Sequence, residues 1–391
     1  MKGTWGRFLY NAQTFFKKAD LLLLGLCIFA TLFGILVISS TTAYLGASRY
    51  VLIQSAALVI GVFLYILFSF LDVDIIAQRR ELLLLFNVAF ISTLFLWGVA
   101  GTTGNRSWLA FTWLPFNIQP AEICKVPYIL ILAKTIIAQQ NKLSSPLSVT
   151  KLVLILAVHV GVIMASSYDA GVALIFVFIF IVMVYVAGVK WPWFVAGVTA
   201  VVVATPYVWT NFVRDDQQQR IMMIFDPTID PEGMGVRWHT MRSLTSLQGG
   251  GMLGQGLYSG TQTQAGALTS QHNDFIFSAI GEEMGVVGCI FVLVLLTAIV
   301  YRCIYIGYKS GNKMNLLICA GIAGMMIFQI AVNVGMCMGL FPVIGLTLPF
   351  ISYGGSSIVT TFAAMGIVSG VRMRPAPDTE ARYIHPSHNR S

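Results

Sequence analysis

The chain is 391 residues long, 57% hydrophobic and only 10% charged, with a mean hydropathy of +0.79. Water-soluble domains carry roughly 25% charged residues, so this composition excludes a soluble fold and leaves a membrane-embedded one. The net charge of +8 does not point to nucleic acid, because the lysines and arginines are scattered through short segments between apolar runs, as the positive-inside rule produces.

Apolar runs long enough to cross a bilayer fall at 21–40, 49–71, 82–100, 119–137, 152–166, 170–189, 192–211, 275–307, 315–340 and 355–371. They predict an all-α polytopic membrane protein of about ten transmembrane helices, forming one transmembrane domain over 1–391. The first run is followed by further spans and not by a small-residue cleavage site, so it reads as a retained helix.

With the N-terminus in the cytoplasm, seventeen lysines and arginines fall in inner segments and six in outer ones (Arg49, Arg106, Arg214, Arg220, Arg237 and Arg242). That bias predicts both termini inside. It also places a long polar segment, about 212–274, outside the membrane between the seventh and eighth spans. Loops of this length are usually functional or disordered. Its apolar pieces, such as IMMIF at 221–225, predict short interfacial helices. Two shorter outer stretches, 101–120 and 339–357, are interrupted by proline and glycine. Irregular backbone at membrane depth survives only where protein or a water-filled cavity satisfies it, so all three point to a site on the outer face.

Ionisable residues inside spans are costly and need a reason. Glu122 and Lys125 open the fourth span on one helical face, either as a structural ion pair or as an anion site in which Glu122 holds Lys125. Asp169, in SSYDAG, stands before the sixth span, where it would also serve as a helix N-cap. Glu282 and Glu283 lie early in the eighth. Asp274 ends the long loop in QHNDFIFSAIGEE, beside His272 and Asn273. It is placed either to cap the eighth span or to act as a carboxylate base at the water–membrane boundary. Arg106, Arg214, Arg220, Arg237 and Arg242 suit phosphate or pyrophosphate, since a guanidinium donates two parallel hydrogen bonds. None of the six cysteines forms a C-x-x-C pair and the five histidines are scattered, so neither a zinc site nor a disulfide framework is expected.

Five stretches in order carry a resemblance: GNRSWL (104–109), IQPAEICK (118–125), HNDFIFSAIGEEMGVVG (272–288), NVGMCMGLFPVIG (333–345) and GLTLPFISYGGSS (345–357). Together they resemble the SEDS family (shape, elongation, division and sporulation), whose members include RodA, FtsW and SpoVE, over nearly the whole chain. The resemblance implies a peptidoglycan glycosyltransferase that polymerises lipid II on the outer face of the bacterial cytoplasmic membrane. It implies attack by a sugar 4-hydroxyl on the anomeric carbon of an undecaprenyl-pyrophosphate-linked glycan, and a class B penicillin-binding protein as partner.

By the same resemblance Asp274 matches the family's essential loop aspartate, as general base or as the group positioning the acceptor hydroxyl. Glu122, Lys125 and Arg106 match conserved residues assigned to pyrophosphate binding or site architecture, and Asp169 matches the aspartate of a P-D-x-G motif. Arg220 and His272 join the expected substrate-binding set, while Ser352, Gly354, Gly355, Ser356 and Ser357 would shape the cavity lining. No cofactor is certain, and a divalent cation (Mg or Mn) is compatible with a departing pyrophosphate. The sequence departs from the family at Asn273, Ala121, Cys124 and SSYDAG, none of which removes an ionisable group. The resemblance leans towards an elongation-type member. Two rival readings are a lipid II flippase, which would need a continuous path of intramembrane charge, and a non-enzymatic scaffold, for which Asp274 would be dispensable.

Overall fold

The computed structural model describes residues 13–374, apart from 101–104, 113, 115, 212, 214, 225, 227–229, 231–234, 236 and 269. Arg214 therefore lies outside the described residues. Nine helices among the described residues are long and apolar enough to cross a membrane. They are α1 (Leu21–Thr41), α2 (Ser48–Phe70), the pair α4 (Arg80–Ser92) and α5 (Leu94–Trp97), α7 (Pro146–Ser167), α8 (Ala170–Ala187), α9 (Trp191–Asn211), α13 (Ile276–Lys309), α14 (Lys313–Cys337) and α15 (Gly355–Met373). A short α3 (Val73–Gln78) precedes α4. The fourth expected span is α6 (Pro120–Ala138). Its 19 residues would reach about 28 Å at 1.5 Å per residue, but they include Glu122, Lys125 and Lys134. The fifth span begins earlier than its hydropathy indicated, at Pro146, because Ser145 caps it through its side chain.

α14, α15 and α6 are the buried centre of the bundle, and α1, α2, α8 and α13 pack around them. None of the residues of α9 is buried. The α2–α15 contact is close because glycine faces backbone: a Cβ on Gly366 would stand 2.5 Å from the Tyr65 carbonyl oxygen. Without a hydrophobic force between helices in lipid, such small residues let dispersion contacts hold them together. The GMCMG spacing at 335–339 is likewise used within the chain, since a Cβ on Gly335 would meet the Phe341 ring at 2.4 Å.

Among the described residues, the segment after α9 forms three helices, α10 (Asp215–Met222), α11 (Trp238–Gly250) and α12 (Thr261–Gln264). Its connection to the bundle runs through a break in α13 at Gly285, whose φ of 66° interrupts the helix. Breaking a helix frees carbonyls and N–H groups that lipid cannot satisfy. Residues 251–256 supply the partners: Gln255 and Gly256 N–H donate to the Glu282 and Glu283 carbonyls (both 2.9 Å), while Val286 and Val287 N–H donate to Gly251 and Met252 (3.0 and 3.2 Å). The Glu282 carboxylate, fully buried, accepts from Thr261 Oγ1, Gln262 N–H, Thr263 N–H and Thr263 Oγ1. Glu283 accepts from Ser40 Oγ at 2.6 Å and from Gln264 Nε2 at 3.0 Å. Both glutamates therefore fasten the loop to the bundle.

At the other end of the bundle Asp20 caps α1 and is fully buried. Its Oδ2 accepts from Arg302 Nη2 (2.8 Å) and Arg372 Nη1 (2.7 Å), joining α1, α13 and α15. Burial pushes this carboxyl up, but hydrogen bonds from Arg302, the Leu23 N–H and Arg372 outweigh it and hold it below the usual carboxylate range. An Asp20→Asn variant keeps the shape and loses the charge-assisted bonds. Thermal unfolding in detergent is expected to show a loss of about 1.5–3 kcal/mol relative to wild type; an unchanged midpoint would mean that the three helices do not depend on this contact.

Candidate active site

The three irregular segments meet around one cavity of about 500 Å³. Asp274 stands just before α13, and the backbone that carries it is held at three consecutive carbonyls. The His272 carbonyl accepts from Tyr353 N–H (2.8 Å), that of Asn273 from Ser352 Oγ (2.6 Å), and that of Asp274 from Asn333 Nδ2 (2.8 Å). Asn333 also donates to the Leu346 carbonyl at 2.7 Å, so α14 grips both loops at once. Gln54, buried in α2, donates to the Ser352 carbonyl (3.0 Å) and accepts from Gly354 N–H (3.2 Å). In a low-dielectric setting each satisfied group is worth more than in water, which makes this lattice stiff.

The Asp274 side chain faces the cavity and makes no hydrogen bond to another described residue. Burial, reinforced by the negative charge of Asp169, pushes its pKa up to about 6. Asp169 caps α8 by accepting from Val172 N–H (3.1 Å), and its other oxygen accepts from Ser107 Oγ (3.1 Å) and Gln119 Nε2 (3.4 Å). It thus combines the cap role with a place in the lining. Its carboxyl is also raised, chiefly by burial. Ser107 comes from the 105–119 stretch, which is shaped by a two-residue pairing of β1 (Gly98–Val99) with β2 (Trp108–Leu109) and a bridge from Leu109 to Ile118.

Of the residues singled out from sequence, the cavity brings together Asp274, Glu122, Asp169, Gly354 and Gly355. Gly355 is needed for close approach, since a Cβ there would stand 2.4 Å from the Phe116 ring. Lys125 lies outside the lining: its Nζ donates to Glu122 Oε1 at 2.6 Å, and it is 1% exposed. Ser352 and Ser356 lie behind the lining, where Ser356 Oγ accepts from Gln119 N–H at 3.3 Å. His272 packs edge-on between Tyr50 and Tyr353, and burial lowers its pKa, favouring the neutral ring. Arg106 is exposed and lines a neighbouring cavity of about 270 Å³ with Phe95 and Tyr168. Arg220 donates to the Val343 carbonyl at 3.3 Å and also lies outside the lining.

The sequence reading missed several lining residues, among them Arg49, Tyr50, Gln329, Thr347 and Tyr353. Only Arg49 left a signal, as an arginine at the start of a span that the charge bias assigns to the outer side. No three His, Cys, Asp or Glu side chains among the described residues converge closely enough to hold a metal ion, so no protein ligand set for Mg or Mn is assigned. What remains is a polar chamber with a basic carboxylate at its wall, an exposed arginine at its edge, and room for a sugar-sized substrate.

Comparison with known proteins agrees with this architecture. A family model described as "Cell cycle protein", for FtsW, RodA and SpoVE, matches residues 18–375. The peptidoglycan glycosyltransferase MrdB of Escherichia coli K12 is 32% identical over 270 residues, 68% of this chain and 71% of that protein. A chain solved in work on a peptidoglycan synthase complex that coordinates polymerization and crosslinking superposes with a TM-score of 0.76 at 27% identity, covering 92% of this chain and 99% of that one. The rod shape determining protein RodA of Thermus thermophilus gives a TM-score of 0.68 at 25% identity, covering 92% and 98%. With a family model matched from residue 18 to 375 on a multi-pass helical membrane fold, this chain belongs to the FtsW/RodA/SpoVE family.

Proposed function

We propose that this chain is a peptidoglycan glycosyltransferase that polymerises lipid II at the outer face of the bacterial cytoplasmic membrane. The observation that carries the reading is Asp274, a carboxylate with no hydrogen bond to another described residue, set by three anchored carbonyls against a polar cavity. The names of the relatives, peptidoglycan glycosyltransferase and peptidoglycan synthase complex, support the same class of reaction. In the step envisaged, the 4-hydroxyl of one lipid-linked sugar attacks the anomeric carbon of another. A new C–O bond forms, the bond to pyrophosphate breaks, undecaprenyl pyrophosphate departs, and the hydroxyl proton passes to Asp274. A base with a raised pKa takes that proton more readily than an ordinary carboxylate while staying largely ionised at neutral pH.

Arg49, and Arg106 next to the chamber, are the cations proposed to receive the pyrophosphate, because a guanidinium fork matches phosphate oxygens. Glu122 and Lys125 are assigned to site architecture, since each neutralises the other. The excess of positive charge in the segments opposite the cavity supports both termini facing the cytoplasm. We also infer an elongation-type role with a class B penicillin-binding protein as partner, supported by the likeness to a rod shape determining protein and to a synthase complex that joins polymerization to crosslinking.

The test is polymerisation of purified lipid II by the detergent-purified chain, alone and with its partner. Wild type is expected to yield glycan strands, and a folded Asp274→Ala variant to lose about 10²–10⁴-fold in rate, the usual contribution of a general base. Equal polymer from both would discard Asp274, and none from either, with the partner present, would turn the reading to flipping or scaffolding. The pH profile gives a second check. Only the ionised carboxylate accepts a proton and burial raises its pKa, so the wild-type rate is expected to fall about tenfold per pH unit below about pH 6 and to be level above pH 7. A level rate down to pH 5 would remove Asp274 as base.

Removing Lys125 alone strands a buried carboxylate, so Lys125→Ala is expected to cost about 3–5 kcal/mol of stability. The pair Glu122→Gln with Lys125→Met is expected to regain most of it and still polymerise. Loss of polymer with regained stability would place the pair in substrate binding instead.

A further inference from the structure

A second polar cavity, of about 270 Å³, lies at the end of the bundle opposite Asp274. Its distance is set by α13, which starts beside Asp274 and ends at Lys309. Beyond the break at Gly285, the part of α13 that ends at Lys309 runs for about 36 Å at 1.5 Å per residue, longer by itself than a hydrocarbon core of about 30 Å. Arg302, Tyr305, Lys309, Ser310 and Arg372 line the cavity. No carboxylate is in that lining, and both arginines share the buried Asp20 through a single oxygen. The charges of Arg302, Arg372 and Lys309 against that of Asp20 leave an excess of two positive charges. Lys309 is exposed, makes no ion pair with a described carboxylate, and its Nζ stands 5.3 Å from the centre of the Tyr305 ring. Arg302 lies over the same ring at 5.2 Å, so Tyr305 spaces the two cations apart.

Cations near helix C-termini are favoured by the helix dipole. That accounts for their presence, since Lys309 and Arg372 close α13 and α15. It does not account for three cations turned into one pocket with room for several water molecules, each taking about 30 Å³. A buried carboxylate that aims two guanidiniums at the pocket wall, with a lysine completing it, has the donor set that phosphate oxygens need. Beside it Tyr301 and Tyr308 are exposed on α13, at 65% and 77%, in the manner of aromatic side chains at a membrane–water interface.

We propose that this pocket binds a phosphate group, presented by the headgroup of an anionic phospholipid in the leaflet opposite the Asp274 cavity. It would fasten α1, α13 and α15 to that leaflet independently of the chemistry at Asp274. The source of the phosphate is distinguished by the ligands used. Full-length protein in a neutral detergent is titrated with phosphatidylglycerol, with phosphatidylcholine and with inorganic phosphate, following the thermal unfolding midpoint. Three chains are compared: wild type, Lys309→Gln in the pocket, and Lys313→Gln, which makes the same change of charge on the same face outside it.

Wild type is expected to gain a saturable shift with phosphatidylglycerol and little with phosphatidylcholine. Half-saturation should weaken about five-fold in Lys309→Gln, the effect of one cation near an anionic lipid, and stay unchanged in Lys313→Gln. Equal midpoints of the three chains without lipid show that neither variant is misfolded. Inert inorganic phosphate supports the headgroup as ligand; a phosphate shift that is itself weakened by Lys309→Gln keeps the pocket and overturns the lipid as its source. Absence of any saturable shift, an unchanged titration of Lys309→Gln, or equal weakening in Lys313→Gln would each overturn the pocket as a site.

Discussion

Three consecutive carbonyls, those of His272, Asn273 and Asp274, need hydrogen-bond donors where lipid offers none. The chain meets that demand with Tyr353 N–H, Ser352 Oγ and Asn333 Nδ2, drawn from the 339–354 loop and from α14. Much of the cavity-bearing half of the molecule follows from this contact. The loop cannot leave the bundle without stranding the backbone before α13, and Gln54 holds the loop from the other side. The break at Gly285 is tolerated for a related reason, because residues 251–256 replace the lost helical partners. Irregular backbone thus becomes a rigid mount for one carboxylate.

The electrostatics are divided along the membrane normal. On the cavity side, Asp274, Asp169 and Glu122 share one chamber, and their partners differ in kind. Glu122 is matched by Lys125 and Asp169 by a helix terminus and two side-chain donors, whereas Asp274 is left for whatever enters. Burial raises the proton affinity of such a group, and that is the property a base requires. At the opposite end the excess is positive, with Asp20 binding two arginines and Lys309 beside them. A charge placed in either region is costly unless paired, so the unpaired ones are the functional candidates.

Much of this was legible in the sequence where the governing physics is local. The spans follow from runs of apolar residues, since each helix satisfies its own backbone. The polar stretch after α9 and the Pro- and Gly-rich stretches stood out because they interrupt those runs. Glu122 stood out because ionisable residues inside spans are costly, and Asp169 and Asp274 because each stands just before a span, where a carboxylate can cap a helix or face water. Even the start of α7 at Pro146 rests on a nearby cue, the Ser145 cap, which hydropathy alone passes over.

What only the tertiary structure decided are the contacts between residues far apart in the chain. Asn333 and Gln54 read as ordinary polar residues within spans, yet they hold the loops that shape the chamber. Lys125 matched a functional motif, but packing turns it towards Glu122 and away from the cavity. Arg220 points at the Val343 carbonyl, while Arg49, counted only for its charge, reaches the chamber edge. By itself the sequence determined that the chain must be a helical membrane protein with irregular polar segments at one end, because transfer of backbone and charge into lipid is priced residue by residue. Which polar groups meet, and which carboxylate is left unmatched, depends on how helices pack, and packing is a property of the whole chain.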